Sequence, residues 1–251
     1  MSGNTNGVIM VIISLHMKKS TTKGLCLNEE AETILATVSH DLKNPIISMG
    51  IALQTLNNPK LSPLNPFQKD ILENISISLK YMKNLITNIL DTYRIENQLM
   101  SIKKIPMDFE EFVYLILKES KYIFKDKDQT VFVTTNLNNK IAEIDNLEMQ
   151  RAIKNLLINA SIYSPQNSKI KIQLSEKENL ICFSIENNGF GIDNPEKIFN
   201  KFCKNDNCTK SISTGLGLFI VKEVITKHAG NIFVESEKDN FTKITFTLPR
   251  K

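Results

Sequence analysis

The 251-residue chain has little of what marks nucleic-acid-binding and membrane-spanning proteins. Its net charge is only +4, and its lysines are scattered through a sequence rich in Ile and Asn, so we expect no nucleic-acid partner. The apolar run "VIMVIISL", residues 8–15, is far shorter than the roughly 20 residues that cross a bilayer. We therefore expect no membrane span in this chain, and we interpret residues 1–27 as a tail or the remnant of an upstream sensor region.

Cysteine is also scarce. The four cysteines, Cys26, Cys182, Cys203 and Cys208, come without a secretory signal, which favours reduced thiols and a cytoplasmic location. Cys203 and Cys208 could form half of a metal site, but no second pair of Cys or His lies near them in the sequence. Two ordinary thiols are therefore the expected interpretation.

Two long segments, about Asn28 to Leu56 and Phe67 to Ile95, have apolar residues at every third or fourth position. This spacing predicts two helices with one apolar stripe each. Between them, "NNPKLSPLNP" carries three prolines and predicts a loop. Asn65 is expected to be the N-cap of a second helix that has Pro66 at its first position.

The predicted helical hairpin, residues 28–97, cannot shield both apolar stripes from water by itself. A second copy of the hairpin would complete a four-helix bundle, so a homodimer is expected. The alternative is a hairpin that packs on the rest of the same chain.

A polar linker, residues 98–105, leads to a second domain, residues 106–251, with its own core. The pattern predicts, in order, a helix in "FEEFVYLILKES", a strand in "TVFVTTNL", a helix over 146–163, two strands in "KIKIQLSEKENLICFSIENNG", a helix in "GLGLFIVKEVITKHAG" that ends at Gly230, and a hairpin in "NIFVESEKDNFTKITFTLP". Hairpins beside helices, without strict strand-helix alternation, indicate an α+β sandwich.

The first long helix contains "SHDLKNP", in which His40 stands beside Asp41 and a proline follows one turn later. Pro45 lacks an amide hydrogen and crowds the carbonyl of Asp41, so we expect a kink next to His40. A neutral imidazole is a competent nucleophile near pH 7. A neighbouring carboxylate fixes its tautomer and stabilises positive charge on the ring, so this segment predicts a reactive histidine.

The second domain contains residues that suit a phosphate ligand. Asn155 and Asn159 lie one turn apart on the helix predicted over 146–163, and their amide oxygens can ligate a hard cation such as Mg²⁺. Gly189 and Gly191 follow a predicted strand, where glycine lets the backbone turn and approach a ligand.

The segment from Ile192 to Thr214 shows little regular pattern, and such long loops are often lids or binding loops. At its end, Gly215 and Gly217 open a helix whose first amides suit phosphate oxygens. The segment carries four lysines that suit closure over an anion: Lys197, Lys201, Lys204 and Lys210.

Residues 28–251 resemble the transmitter region of a bacterial sensor histidine kinase. That family combines a phosphoacceptor helical hairpin with an ATP-binding domain of the fold shared with gyrase-type, mismatch-repair and heat-shock chaperone ATPases. The resemblance rests on five sequence boxes in the family's order: "SHDLKNP", "NLLINA", "NNGFGI", "IFNKF" and "TGLGL".

The resemblance implies roles for the matching residues. His40 would take the γ-phosphoryl group of ATP, with Asp41 as its general base or orienting group, and would pass it to an aspartate in the receiver domain of a response regulator. Asn44 would help to place a water that dephosphorylates that regulator. Asn159 would hold Mg²⁺, Asn155 would support the phosphates or the metal shell, and Phe199 and Phe202 would anchor the lid. The implied nucleotide contacts are Asn155, Asn159, Asn187, Gly189, Gly191, Lys204, Thr214, Gly215, Leu216, Gly217 and Leu218.

Two positions depart from the family. The family usually has aspartate at Asn187, where the carboxylate accepts the adenine amino hydrogens, so the neutral amide is expected to lower ATP affinity by about 1–2 kcal/mol. Ile162 stands where lysine is common and removes a phosphate contact. The retained boxes favour an ATP-dependent protein-histidine kinase. The alternative is a dimeric scaffold or phosphatase with impaired ATP binding, whereas an ATPase of the chaperone or gyrase type leaves the histidine box unexplained.

Overall fold

The computed structural model describes residues 26–58, 63–192, 194–203 and 214–250, and only the backbone of residues 26–36. The structure divides into two compact units, Met1–Leu79 and Lys80–Lys251. Within the described ranges, no helix has both the length and the apolar composition needed to cross a bilayer.

Two long helices form the hairpin. Helix α1 spans Cys26–Leu56 and helix α2 spans Pro66–Glu96, so α2 extends past the end of the first unit. Helix α1 is continuous through Pro45. The predicted N-cap is confirmed, because Asn65 Oδ1 accepts a hydrogen bond from the Gln68 amide at 2.8 Å and Gln68 Oε1 accepts one from the Asn65 amide at 2.9 Å. This reciprocal pair is a capping box, and it starts α2 at Pro66.

The second unit continues from α2 as a mixture of helices and strands. Its elements are β1 (Ile105–Asp108), α3 (Phe109–Glu119), α4 (Tyr122–Lys125), β2 (Thr130–Asn136), β3 (Ile141–Ile144), α5 (Asn146–Ile162), β4 (Lys169–Lys177), β5 (Leu180–Asn188), a 3-10 turn (Pro195–Lys197), α6 (Gly217–Lys227), β6 (Asn231–Glu237) and β7 (Phe241–Pro249). The predicted strands and the predicted long helices of this unit are all present.

The main sheet has five strands in the order β2-β4-β5-β7-β6. Strands β2 and β4 run parallel, and the other neighbouring pairs run antiparallel. Strands β1 and β3 form a separate antiparallel ribbon, which the sequence analysis did not predict. Its first strand begins at Ile105, the last residue of the predicted linker.

One face of the main sheet is buried because apolar residues alternate along its strands. In β4, for example, Ile170, Ile172 and Leu174 are buried between exposed neighbours. Phe183 of β5 and Phe246 of β7 are opposite each other, with ring centroids 4.8 Å apart. Apolar residues of α3, α5 and α6 belong to the same core. The predicted α+β sandwich is therefore confirmed.

Helix α6 ends at Lys227, and Gly230 closes it as predicted. Ala229, with φ 61°, takes the left-handed position of the cap. The Gly230 amide donates to the carbonyl of Ile225 at 2.9 Å, which completes a Schellman cap. Glycine is needed at position 230 for another reason, because a Cβ there would lie 2.0 Å from the carbonyl oxygen of Thr247.

Candidate functional site

The first candidate site is an exposed polar cluster on α1. His40 Nδ1 lies 3.2 Å from Asp41 Oδ1, and Asn44 Nδ2 lies 3.0 Å from Nε2 and 3.1 Å from Nδ1 of the same imidazole. Asn44 reaches the ring because residues four apart share one face of a helix. The side chains of His40 and Asp41 are 72% and 69% exposed. The imidazole is therefore accessible to a second molecule.

The contact with Asp41 selects one tautomer of the imidazole. An ionised carboxylate only accepts hydrogen bonds, so Nδ1 carries the proton and donates to Asp41. In the neutral ring, Nε2 then holds the in-plane lone pair. The Asn44 amide nitrogen is nearly equidistant from the two ring nitrogens, so it lies over the face of the ring and not on that lone pair. The cluster is therefore an exposed imidazole with a selected tautomer and an accessible Nε2.

The second candidate site is a cavity of about 210 Å³ in the second unit. It lies between α5, the main sheet, the segment after β5 and the first turn of α6. Its apolar walls include Leu156, Ile185, Ile244 and Leu218, and its polar groups include Asn159, Asn187 and Thr242. An apolar cavity with a few placed polar groups is typical of a small-molecule site.

Helices α5 and α6 meet beside this cavity. Asn159 of α5 lines the cavity, and Asn155 lies one turn earlier, next to the start of α6. A Cβ built on Gly217 would lie 3.9 Å from Asn155 Oδ1. The first turn of a helix presents amide donors. An amide oxygen and a helix N-terminus are therefore adjacent, which suits a metal-bound phosphate group.

A polar end of the cavity is formed by β5 and β7. Asn187 is 6% exposed, and its Nδ2 has no hydrogen-bond partner among the described residues. Thr242 is its register partner on β7, and the Thr242 hydroxyl oxygen lies 2.9 Å from that of Ser236. A buried donor without a partner costs about 1–3 kcal/mol, which a ligand that accepts its hydrogen bond would remove.

The four motif glycines differ in what a larger side chain would contact at each position. A Cβ on Gly189 would lie 2.2 Å from the carbonyl oxygen of Tyr163. Gly191 and Gly215 have φ of +68° and +69°, and a Cβ on either would collide with backbone atoms. A Cβ on Gly217 would meet only the Asn155 side chain, at 3.8 Å. Three glycines are thus required by packing of the chain on itself, whereas a Cβ on Gly217 would make only an ordinary van der Waals contact.

The segment before α6 is held by side-chain contacts. The Thr214 hydroxyl accepts a hydrogen bond from Asn88 Nδ2 at 2.9 Å and one from the Leu216 amide at 3.3 Å. The Leu216 side chain is fully buried, so its contribution to a ligand site would come from the backbone. Leu218 lines the cavity directly.

The predicted lid residues are only partly described. Lys197 lines the cavity, whereas Lys201 forms an ion pair with Glu96 at the end of α2. Lys204 and Lys210, as well as Cys208, lie outside the described residues.

The two phenylalanines that are expected to anchor the lid lie in different surroundings. Phe199 is buried in the core, but Phe202 is 56% exposed. Phe202 instead has a left-handed backbone, with φ 59°, and its main chain packs against Gly215.

A buried histidine, which the sequence analysis missed, joins α5 to α6. His228 Nδ1 donates to the carbonyl of Val224 at 2.8 Å, and His228 Nε2 accepts a hydrogen bond from the amide of Asp145 at 2.9 Å. Burial lowers the pKa of His228 and outweighs the hydrogen bond to Val224, which acts in the opposite direction. Since Asp145 is the N-cap of α5, the neutral imidazole helps to hold the two helices that flank the cavity.

Other cavity residues were also missed, and one left a signal in the sequence. Thr242 lies on the same face of β7 as Ile244 and Phe246, and this alternation is visible in the sequence, but its position opposite Asn187 depends on the pairing of β7 with β5. Tyr163 and Asn194 also line the cavity, but they lie in irregular backbone whose path no periodic pattern describes.

Two family models match this chain. The "His Kinase A (phospho-acceptor) domain" matches residues 30–98, and the "Histidine kinase-, DNA gyrase B-, and HSP90-like ATPase" matches residues 144–251. The first range contains the His40 cluster and the second contains the cavity.

Curated relatives match along most of the chain. Sensor histidine kinase WalK of Bacillus subtilis is 28% identical in an alignment of 261 positions, which covers 99% of this chain and 40% of WalK. Sensor protein kinase WalK of Staphylococcus epidermidis is 29% identical over 235 residues, which cover 89% of this chain and 37% of the relative. This chain thus spans less than half the length of these relatives.

Solved structures show the same fold. Full-length ShkA, crystallised in complex with AMPPNP, superposes with a TM-score of 0.69 at 19% sequence identity. The superposition covers 86% of this chain and 45% of the ShkA chain. The mycobacterial sensor histidine kinase MprB superposes with a TM-score of 0.52 at 25% sequence identity. The superposition covers 59% of this chain and 97% of the MprB chain.

Proposed function

Because this chain belongs to the transmitter regions of two-component sensor histidine kinases, we propose that it is an ATP-dependent protein-histidine kinase that phosphorylates His40. The observation that carries the proposal is the exposed imidazole whose Nε2 lone pair is set by the contact between Nδ1 and Asp41. Residues 28–97 would be the phosphoacceptor hairpin, and residues 106–251 would be the nucleotide-binding domain.

The transfer step follows from the tautomer of His40. Nε2 attacks the γ-phosphorus of ATP, and the bond from that phosphorus to the bridging oxygen breaks, so that its electron pair leaves with ADP. The ring becomes a positively charged N-phosphorylated imidazolium with the proton still on Nδ1. Asp41, 3.2 Å from Nδ1, stabilises this charge and can accept the proton afterwards.

The cavity would hold the nucleotide. Asn187 and Thr242 form the polar end that suits the base, and the start of α6 lies beside Asn155, where amide donors can bind phosphates. The half-buried amides of Asn159 and Asn155 fit Mg²⁺, because they offer neutral oxygen ligands next to a phosphate site. A bound Mg²⁺ would neutralise charge on the triphosphate.

The accessible face of α1 would dock the receiver domain of a response regulator. Phosphohistidine at His40 would pass its phosphoryl group to an aspartate of that domain. Asn44, whose amide nitrogen lies 3.0 Å from Nε2, would hold a water near the same position and would give an additional phosphatase activity.

The hairpin would dimerise into a four-helix bundle. Large apolar side chains of the first unit are exposed in the single chain, and a second hairpin would cover them. These side chains are Val38, Leu42, Ile47, Met49, Ile51, Ile71, Ile75 and Ile77.

The decisive experiment is labelling of the purified chain with Mg-ATP that carries a labelled γ-phosphate. The expected product is an acid-labile phosphoryl group that is lost in both His40→Gln and Asn159→Ala, while urea denaturation shows that both variants remain folded. A wild-type protein that stays unlabelled at saturating ATP, yet binds a response regulator, would be a scaffold and would contradict the proposal.

A further inference from the structure

We infer that Asn187 allows the nucleotide cavity to accept 6-oxopurine nucleoside triphosphates, such as ITP, as well as ATP. The inference rests on the proposed function, because it concerns the base that the same cavity would hold. It assigns to Asn187 the choice between a 6-amino and a 6-oxo group on the purine ring.

The first observation is that nothing in the described protein satisfies the Asn187 amide nitrogen. The residue is 6% exposed, and its side chain lines the cavity. Its Nδ2 is buried without a hydrogen-bond partner. Nδ2 therefore donates no hydrogen bond that would fix the orientation of the amide. A rotation of the amide by half a turn exchanges the positions of Nδ2 and Oδ1.

The second observation is that no carboxylate is among the described residues that line the cavity. Thr242 lies opposite Asn187, and its hydroxyl can donate or accept a hydrogen bond because it rotates. Among the described residues that line the cavity, Lys197 is the charged one, and none carries a carboxylate. The described polar end of the cavity thus has no fixed negative charge that would reject a carbonyl oxygen.

The hydrogen-bonding edges of purines decide what such an amide can bind. Adenine presents an amino donor at position 6 and an acceptor at N1, whereas hypoxanthine and guanine present an oxygen acceptor at position 6 and a donor at N1. In one orientation the Asn187 amide matches the adenine edge, and in the other it matches the 6-oxopurine edge. An aspartate has only acceptors, so it matches the adenine amino group. Opposite a 6-oxopurine it can accept only from N1–H, and its charge repels the oxygen at position 6.

The test compares dissociation constants of ATP and ITP for the whole chain with Mg²⁺, measured by isothermal titration calorimetry. ITP is the informative probe because its base differs from adenine only at position 6 and N1. We expect wild type to bind the two within about tenfold of each other. Asn187→Asp is expected to weaken ITP relative to ATP by about tenfold or more, the size of one lost bidentate base contact.

Asn188→Asp is the matched control. It makes the same change one residue later on β5, where the side chain is exposed and points to the other face of the sheet. The ratio of the ITP and ATP dissociation constants is therefore expected to remain that of wild type. If wild type binds ATP but its dissociation constant for ITP is far more than tenfold higher, this inference is overturned and the proposed function stands. A folded chain that binds neither nucleotide would overturn both. The wild-type ratio decides the inference even if Asn187→Asp does not fold.

Discussion

The His40 cluster and the cavity of the second unit are built in opposite ways. His40, Asp41 and Asn44 come from one turn of one helix, and two of these side chains are about 70% exposed. The cavity collects residues from two helices, two strands and an irregular segment, and its Asn187 is 6% exposed. Changes in the cluster should therefore alter chemistry without altering stability. Changes around the cavity should alter both, because its walls are also the core of the unit.

The largest expected effect is at the cluster. Asp41→Asn removes the charge that stabilises the imidazolium and frees the ring to change tautomer, so the rate of His40 phosphorylation should fall about a hundredfold or more. The measurement is the initial rate of acid-labile labelling with Mg-ATP.

The control for this change is Asp70→Asn, which removes an exposed carboxylate elsewhere in the hairpin. It should label at the wild-type rate, and urea denaturation of both variants should match wild type. An unchanged rate in Asp41→Asn would show that the neighbouring charge has no part in the chemistry.

Around the cavity, Gly189→Ala should mainly change stability. The new Cβ would lie 2.2 Å from the carbonyl oxygen of Tyr163, so the backbone must shift. We expect the free energy of unfolding in urea to fall by about 1–3 kcal/mol. Gly217→Ala is the matched comparison, because its Cβ would make an ordinary 3.8 Å contact, and its free energy of unfolding should change by less than about 1 kcal/mol. Equal losses in the two variants would contradict the different roles assigned to these glycines.

The buried histidine predicts a pH dependence of stability. Because burial lowers the pKa of His228 below its ordinary value of 6.5, the unfolded chain binds this proton more readily than the folded chain. The contribution of His228 is therefore present above pH 6.5 and is lost as the pH falls below it toward the lowered pKa. The free energy of unfolding, measured by urea denaturation, should decrease as the pH is lowered from 7 to 5. In His228→Gln this dependence of stability on pH should be weaker.

The smallest expected effect is at the end of α6. Ala229 has φ 61° and is exposed, so Ala229→Gly relieves backbone strain without opening a cavity. It should raise the free energy of unfolding by about 0.5–1 kcal/mol. Ala52→Gly, at an exposed position inside α1, should have the opposite sign and cost about 1 kcal/mol in urea or thermal denaturation. A loss of stability in Ala229→Gly would contradict the strain at this position.

Periodic patterns predicted the regular elements well. The alternation of "KIKIQL" predicted β4, and Asn65 with Pro66 predicted the start of α2. The short ribbon of β1 and β3 was not predicted, because four residues are too few for a period to be visible and because the two strands are far apart in sequence. The left-handed backbone of Ala229 was not predicted either, because propensity favours glycine in that conformation, whereas the glycine at position 230 is required by its packing against Thr247.

The sequence by itself determined the local site and the order of the elements. His40, Asp41 and Asn44 lie within one helical turn, and helix geometry alone brings them together. The tertiary structure decided the rest. It placed Thr242 opposite Asn187, buried an amide nitrogen without a partner, and turned three of the four motif glycines into packing requirements. These features depend on which distant backbones approach one another, and that is set by burial of the whole core and not by the residues next to each position.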